Sequence, residues 1–248
     1  MNFSANTLFH FTDSIDKLQS ILQNGFYTSY SKELILGNGI GKEFAVPIIS
    51  FCDIPLSNIS EHVKKYGGYA VGVSKDFATT HRFSKVFYLE RFSDIIDGIF
   101  DIHEYVVRNF QQNIEEESFG KLNDGVLRIM QVMKNNVGPL IRKTGNTPDY
   151  EFFKEMEWRY TPMVAPNQNQ VYADFNELDR DFPTKPHLTL VGLPLTFSDI
   201  NWIIVATTIE IPSVVAVLKT CKNLYENNDQ LEILMTKVLS IEQIKYDF

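Results

Sequence analysis

The sequence predicts one α+β domain over residues 1–248, with a helical insertion at approximately 90–140. Three observations carry that prediction. Strand-like and helix-like segments alternate through the first 90 residues, the hydrophobic period then turns helical as far as 138, and strand patterns return afterwards. No repeat, low-complexity tract or linker interrupts the chain.

The elements follow in order. "TLFHFT" (7–12) alternates as a strand, with Thr7, Phe9 and Phe11 on one face and Leu8, His10 and Thr12 on the other. The phenylalanine face is the expected core side, so His10 is expected to look out from the opposite one. Asp13 or Ser14 then caps a helix whose stripe is Leu18, Ile21 and Leu22, and Gly25 stops it. "PIISFCDIP" (47–55) reads as a strand, "LSNISEHVKKYG" (56–67) as a helix, and "GYAVGVSK" (68–75) and "SKVFYLE" (84–90) as strands. Ile95, Ile99, Ile102, Val106 and Phe110, then Leu122, Val126, Ile129, Met130, Met133 and Val137, recur at steps suited to helices. "RKTGNTPDY" (142–150) is the clearest loop. Later strands are "FFKEMEWRYTP" (152–162), "HLTLVGLPLTF", "NWIIVAT" and one near "KVLSIEQIKYDF", with a helix over about 211–227.

Composition narrows the class. A hydrophobic fraction of 44% and an aromatic fraction of 13% in 248 residues describe a chain with ample core. The longest apolar run, "INWIIVATTIEI", has the length of a buried strand and falls short of the roughly 18 residues that cross a bilayer. With no basic-then-apolar start and only Cys52 and Cys221, both in apolar surroundings, a cytoplasmic location without membrane contact is expected. The net charge of −8, from 31 acidic and 23 basic residues, argues against broad affinity for a phosphate backbone. Lys64 with Lys65, or Arg142 with Lys143, are the places where a local basic groove would form.

The segment with most chemistry is "KEMEWRYTP". As an extended chain it sets Glu155, Glu157, Arg159 and Thr161 on one face and Met156, Trp158 and Tyr160 on the other. The plain reading is a solvated strand over an apolar core face. The sharper one is a carboxylate on a rigid strand, with an arginine two residues on to orient it or to grip a phosphate. On residue types alone the plain reading prevails, and a lone strand histidine such as His10 is more often a packing residue than a catalytic one. His62, His81, His103 and His187 fall in no metal-binding spacing, so no metal is expected. "GNGIGKEF" (37–44) lacks the ending of a phosphate loop and reads as a flexible loop, and "GGYAVG" as a turn entering a strand.

Taken in order, "LFHFT" with "LQSILQNGF", "ISFCDIPLS", "HVKKYGGYAVGVSK" and "EMEWRY" resemble the AbiGi family of abortive phage-infection proteins. The likeness runs from residue 8 to about 162 and continues weakly through "LPLTFSDINWIIV". It implies one component, the antitoxin, of a two-component system, with a cognate toxin or antitoxin protein as partner. The same order is more distantly similar to the ADP-ribosyltransferase superfamily, DarT-like toxins included. That likeness implies a split, mixed β-sheet core and NAD as co-substrate, with a nucleic-acid or protein acceptor. By position it places His10 and Thr12 on the cofactor, Tyr69 (or Tyr66) at the nicotinamide and Glu157 as the catalytic carboxylate. Arg159, with no fixed counterpart, would hold the pyrophosphate. A carboxylate on the ribose 2′-OH would stabilise an oxocarbenium-like transition state. The alternative keeps the family and drops the chemistry: a catalytically inactive antitoxin or phage-sensing module that binds a partner.

Overall fold

A computed structural model describes residues 6–38, 41–110, 116–142, 145–162, 171, 176, 178, 179 and 187–247. The chain runs β1 (Thr7–Thr12), α1 (Ile15–Asn24), β2 (Phe26–Leu36), β3 (Gly41–Cys52), α2 (Ile59–Tyr66), β4 (Tyr69–Ser74) and α3 (Lys75–Thr80). There follow β5 (Ser84–Lys85), β6 (Phe87–Leu89), α4 (Asp94–Phe110), α5 (Glu116–Gln131), β7 (Met133–Asn135), β8 (Val137–Arg142) and β9 (Gly145–Glu151). Then come β10 (Glu157–Tyr160), β11 (His187–Leu193), β12 (Ile200–Val205), α6 (Ile211–Leu218), α7 (Asn228–Thr236), β13 (Val238–Ser240) and α8 (Ile241–Asp247). The fold is α+β with a mixed sheet. Two compact units share it: residues 1–28, 49–83 and 191–248 form the first, residues 29–48 and 84–190 the second.

In the first unit β1 lies antiparallel between the end of β3 and β4, β12 is antiparallel to β4, and β13 runs parallel to β12. Ser14 caps α1 through the Lys17 N–H, and Gly25 closes it by donating to the Ile21 carbonyl at 2.8 Å. Both faces of β1 are covered, which differs from the one-sided strand the sequence suggests. Leu8 and Phe9 are fully buried, and Phe9 joins Ile59 of α2 and Ile241 and Ile244 of α8 in one cluster. The sheet makes room for the Phe9 ring at Gly72, where an added Cβ would stand 2.8 Å from it. Gly67 ends α2 at φ +108°, and a Cβ there would lie 2.3 Å from the Thr12 carbonyl oxygen. Only glycine fits both the backbone and the space.

In the second unit β2 and β3 form a long antiparallel ladder from Ser29↔Ile48 to Leu36↔Gly41. "GNGIGKEF" is therefore not all loop, since Gly41 to Phe44 already pair. Ile35, Phe44, Val46 and Ile48 of this ladder meet Ile96 and Phe100 of α4, Val126 and Met130 of α5, and Met133 of β7. The helical stretch is two helices that end at Gln131. Met133 and Val137, which fit the helical period, sit instead on short strands, because β7 finds a parallel partner in β6 and β8 an antiparallel one in β9. The expected loop 142–150 is largely the strand β9, paired antiparallel to β8. Its residues Gly145 to Asp149 are exposed, so no apolar alternation marks it.

In the first unit, the expected helix 211–227 ends at Leu218. A separate helix starts at Asn228, capped by the Asn227 side chain accepting from the Gln230 N–H at 3.0 Å.

Candidate functional site

Of the residues singled out by sequence, His10, Thr12, Tyr66 and Tyr69 belong to the first unit, and Glu157 and Arg159 to the second. Each set has its own geometry.

In the first unit, Thr12 and Tyr69 are direct partners across β1 and β4, and His10 lies opposite Val71, so His10, Thr12 and Tyr69 share a face of the sheet. That face is not open at His10. Its ring packs on Phe26 and Phe51, at centroid distances of 5.2 and 5.5 Å, and its Nδ1 lies 2.9 Å from the Ser50 carbonyl oxygen. With an acceptor there, the nitrogen that carries the proton is Nδ1. Burial pushes the His10 pKa down, against the opposing pull of the Ser50 carbonyl. The Tyr69 hydroxyl donates to Glu210 Oε1 at 2.7 Å. That bond, then burial and the negative charges of Glu210 and Asp16, push the phenol up to about 12. Glu210 itself closes a capping box with Thr207, and although burial opposes it, the bonds from Tyr69 and Thr207 hold its carboxyl below the ordinary value. Thr12 is buried, and Tyr66 stacks near His62 at 6.1 Å.

In the second unit the "EMEWRY" segment turns the sequence expectation inside out. Glu155 ends a 3₁₀ turn, Met156 takes a left-handed conformation at φ 46°, and only Glu157 to Tyr160 form the strand. The charged side is the buried one: Arg159 is 0% and Glu157 4% exposed, while Met156 on the supposed core face is 38% exposed. Around the turn at Met156, Glu155 and Glu157 both lie against Lys134 on β7, and Arg159 meets Glu157 and Glu33, so three carboxylates and two cations come together here.

Arg159 donates from Nε to Glu157 Oε1 at 2.8 Å and from Nη2 to Glu157 Oε2 at 3.2 Å. Its Nη2 also reaches Glu33 Oε1 on β2 at 3.0 Å, and its Nη1 the Gln131 carbonyl at 2.8 Å. Lys134 Nζ lies 3.1 Å from Glu157 Oε2 and 3.5 Å from Glu155 Oε2, over the Phe152 ring. The Glu157 N–H donates to the Tyr88 hydroxyl at 2.8 Å. Burial alone would depress Lys134 and Arg159, but the carboxylates of Glu157 and Glu33 outweigh it and hold both cations above their ordinary ranges. Burial and the Glu157 charge push the Tyr88 phenol well up.

Glu33, Tyr88 and Lys134 were not among the residues singled out from sequence. Beside them Asn135, also buried, pairs its amide with the Leu36 backbone, accepting at 2.7 Å and donating at 3.2 Å. The signal that points to them is a polar residue inside a run otherwise fit for the core, as in "IMQVMKNNV".

Chemically this is a buried ion-pair network. Both Glu157 oxygens are held by cations, and the strand that carries them is tied to β2, α5, β6 and β7. Among the described residues no helix is long and apolar enough to cross a membrane.

Comparison with known proteins places this mixed α+β chain among abortive phage resistance proteins. The family described as "Putative abortive phage resistance protein AbiGi, antitoxin" matches residues 24–206, and the chain belongs to that family. It is also similar to the "Abortive phage resistance protein AbiGi" of Lactococcus lactis subsp. cremoris, with 25% identity over 247 residues, covering 91% of this chain and 96% of the relative. No solved structure matches. The AbiGi resemblance thus stands on two comparisons, neither of which extends to ADP-ribosyltransferases.

Proposed function

We propose that this chain acts as the antitoxin of an abortive-infection pair, binding a partner protein and transferring no ADP-ribose. The family description supplies the role. The observation that carries the reading is the closure of Glu157. A carboxylate that acts on a ribose hydroxyl must present an oxygen to the substrate. Here the side chain is 4% exposed and both oxygens already accept from Arg159 or Lys134. Such a network specifies a structure, and a binding module needs a rigid structure more than a reactive group.

The test is co-expression with the cognate toxin. The chain is expected to restore growth to cells arrested by the toxin and to co-purify with it, while purified chain leaves NAD unconsumed. If the chain alone arrests growth and consumes NAD, and Glu157→Gln abolishes both while staying folded, the transferase reading takes its place.

A further inference from the structure

Helix α4 buries part of its apolar surface and exposes another part. Ile96, Phe100 and Val106 are buried. Ile95, Ile102 and Tyr105 stand out at 62%, 50% and 59% exposed. Gly98 lies between them, and a Cβ added there would meet nothing within 4 Å. Positions 95, 98, 102 and 105 step by three, four and three, so they share one face over about 15 Å of helix. An acid stands one residue before each of them: Asp94, Asp97, Asp101 and Glu104. One residue is a rotation of about 100°, so these acids form a ridge running alongside the apolar stripe.

The ridge is only partly engaged. Asp97 accepts from the Asn38 N–H at 2.9 Å, and Glu104 pairs with Arg108, one turn on. Asp94, Asp101 and Glu104 remain exposed. Asp94 and Asp97 also suit the positive end of the helix dipole, which explains acids in the first turn but not those further along. Single exposed isoleucines are ordinary on a protein surface. Three large apolar side chains in helical register, each preceded by an acid, form a surface with a definite complement.

We propose that this face of α4 docks an amphipathic helix of the partner protein, with aliphatic side chains over Ile95, Ile102 and Tyr105 and lysine or arginine opposite the acidic ridge. The proposal rests on the partner-binding reading above. Charge selects the occupant. Two copies of α4 packed antiparallel bring the same flank of each together, setting acid against acid, and the chain's net charge of −8 adds to that repulsion. A basic helix gains where a second copy loses. Gly98 leaves an open notch at the middle of the stripe into which a partner side chain can reach.

The experiment uses the full chain and two labelled helical peptides with the same leucines at i, i+3, i+4 and i+7, one flanked by lysines and the other by glutamates. The lysine peptide is expected to bind at least about tenfold more tightly, a difference of about 1.4 kcal/mol. Ile102→Asp is expected to cost the lysine peptide a similar factor, and Asp101→Lys with Glu104→Lys to turn the preference toward the glutamate peptide. These are exposed positions, and circular dichroism checks that each variant is folded. Equal binding to wild type and variants overturns the proposal, as does a dimer seen by sedimentation that Ile102→Asp dissolves. In cells, Ile102→Asp should lose neutralisation of the toxin that wild type retains. If both neutralise, α4 is not the docking face and the antitoxin reading survives. If wild type itself fails, that reading falls, and this proposal with it.

Discussion

Arg159 donates at 2.8 Å to Glu157, its neighbour two residues back on the same strand, and both side chains are buried. A strand places such neighbours on one face, and an exposed pair of this kind contributes little. Burial changes the arithmetic: removing one member of a buried pair leaves the other charge in a medium that solvates it poorly. Arg159→Met should therefore lower the stability by about 3–5 kcal/mol, read from urea denaturation midpoints. Replacing Glu157 by leucine and Glu33 by methionine in the same chain should recover a substantial part of that loss. A triple variant as unstable as the single one would mean that the ion pairs are not what Arg159 contributes.

His10 gives a pH dependence with a definite sign. Its folded pKa lies below the ordinary 6.5 because burial disfavours the imidazolium. A group whose folded pKa is depressed contributes stability that is fully present above the unfolded value and is lost as pH falls through the folded one. The chain should thus lose stability on acidification from neutral pH through the region below 6.5, and His10→Phe should flatten that part of the profile. The measurement is the denaturation midpoint of both proteins at a series of pH values. Parallel profiles would show that His10 titrates alike in folded and unfolded chain.

How much of this was legible in the sequence depends on the range over which each feature is encoded. The first strand, its capped helix and the glycine that ends it are local, and Ser14, Leu18, Leu22 and Gly25 announce them within a few residues. The core strands "GYAVGVS" and "INWIIV" are legible for the same reason. The ion network is not local. Lys134 lies 23 residues from Glu157, and Glu33 lies 126 from Arg159, so no window joins them. Without those partners the charges of "EMEWRY" look solvated, and the left-handed turn at Met156, which reassigns Glu155 from strand to turn, falls on a residue type that gives no warning of it. β9 escaped for another reason: its pairing is to β8, and its residues Gly145 to Asp149 are exposed and show no apolar alternation.

Gly67 should be intolerant of substitution. Its φ of +108° costs any other residue about 1–3 kcal/mol of backbone strain. In addition, a Cβ would sit 2.3 Å from the Thr12 carbonyl oxygen and 2.4 Å from the Asp13 Cα, both backbone atoms with little freedom to move. Gly67→Ala is expected to exceed the strain figure and to give poorly soluble or partly unfolded protein. Gly98→Ala, in a helix with open space at the Cβ, is the contrasting case and should stabilise by about 0.5–1 kcal/mol. If thermal unfolding ranks the two the other way, the backbone at Gly67 is not as constrained as its surroundings indicate.

NAD provides the last and most direct separation of the two functional readings. Anything that binds only the folded state stabilises it by mass action, by about 2.7 kcal/mol when the ligand stands at 100 times its dissociation constant. A transferase pocket that works on cellular NAD would meet that condition with millimolar ligand if its dissociation constant were about 10 μM. With Glu157 held by Arg159 and Lys134, and with the His10 ring packed on Phe26 and Phe51, the side chains that would grip NAD are already occupied. The melting temperature should accordingly stay flat as NAD, ADP-ribose and nicotinamide are titrated into the full chain. Glu157→Gln should lower it by a constant amount at every ligand concentration, since the loss comes from the network. A rise with NAD in the wild type that vanishes in folded Glu157→Gln would instead place the carboxylate on the ligand, and the proposal of a purely partner-binding protein would be withdrawn.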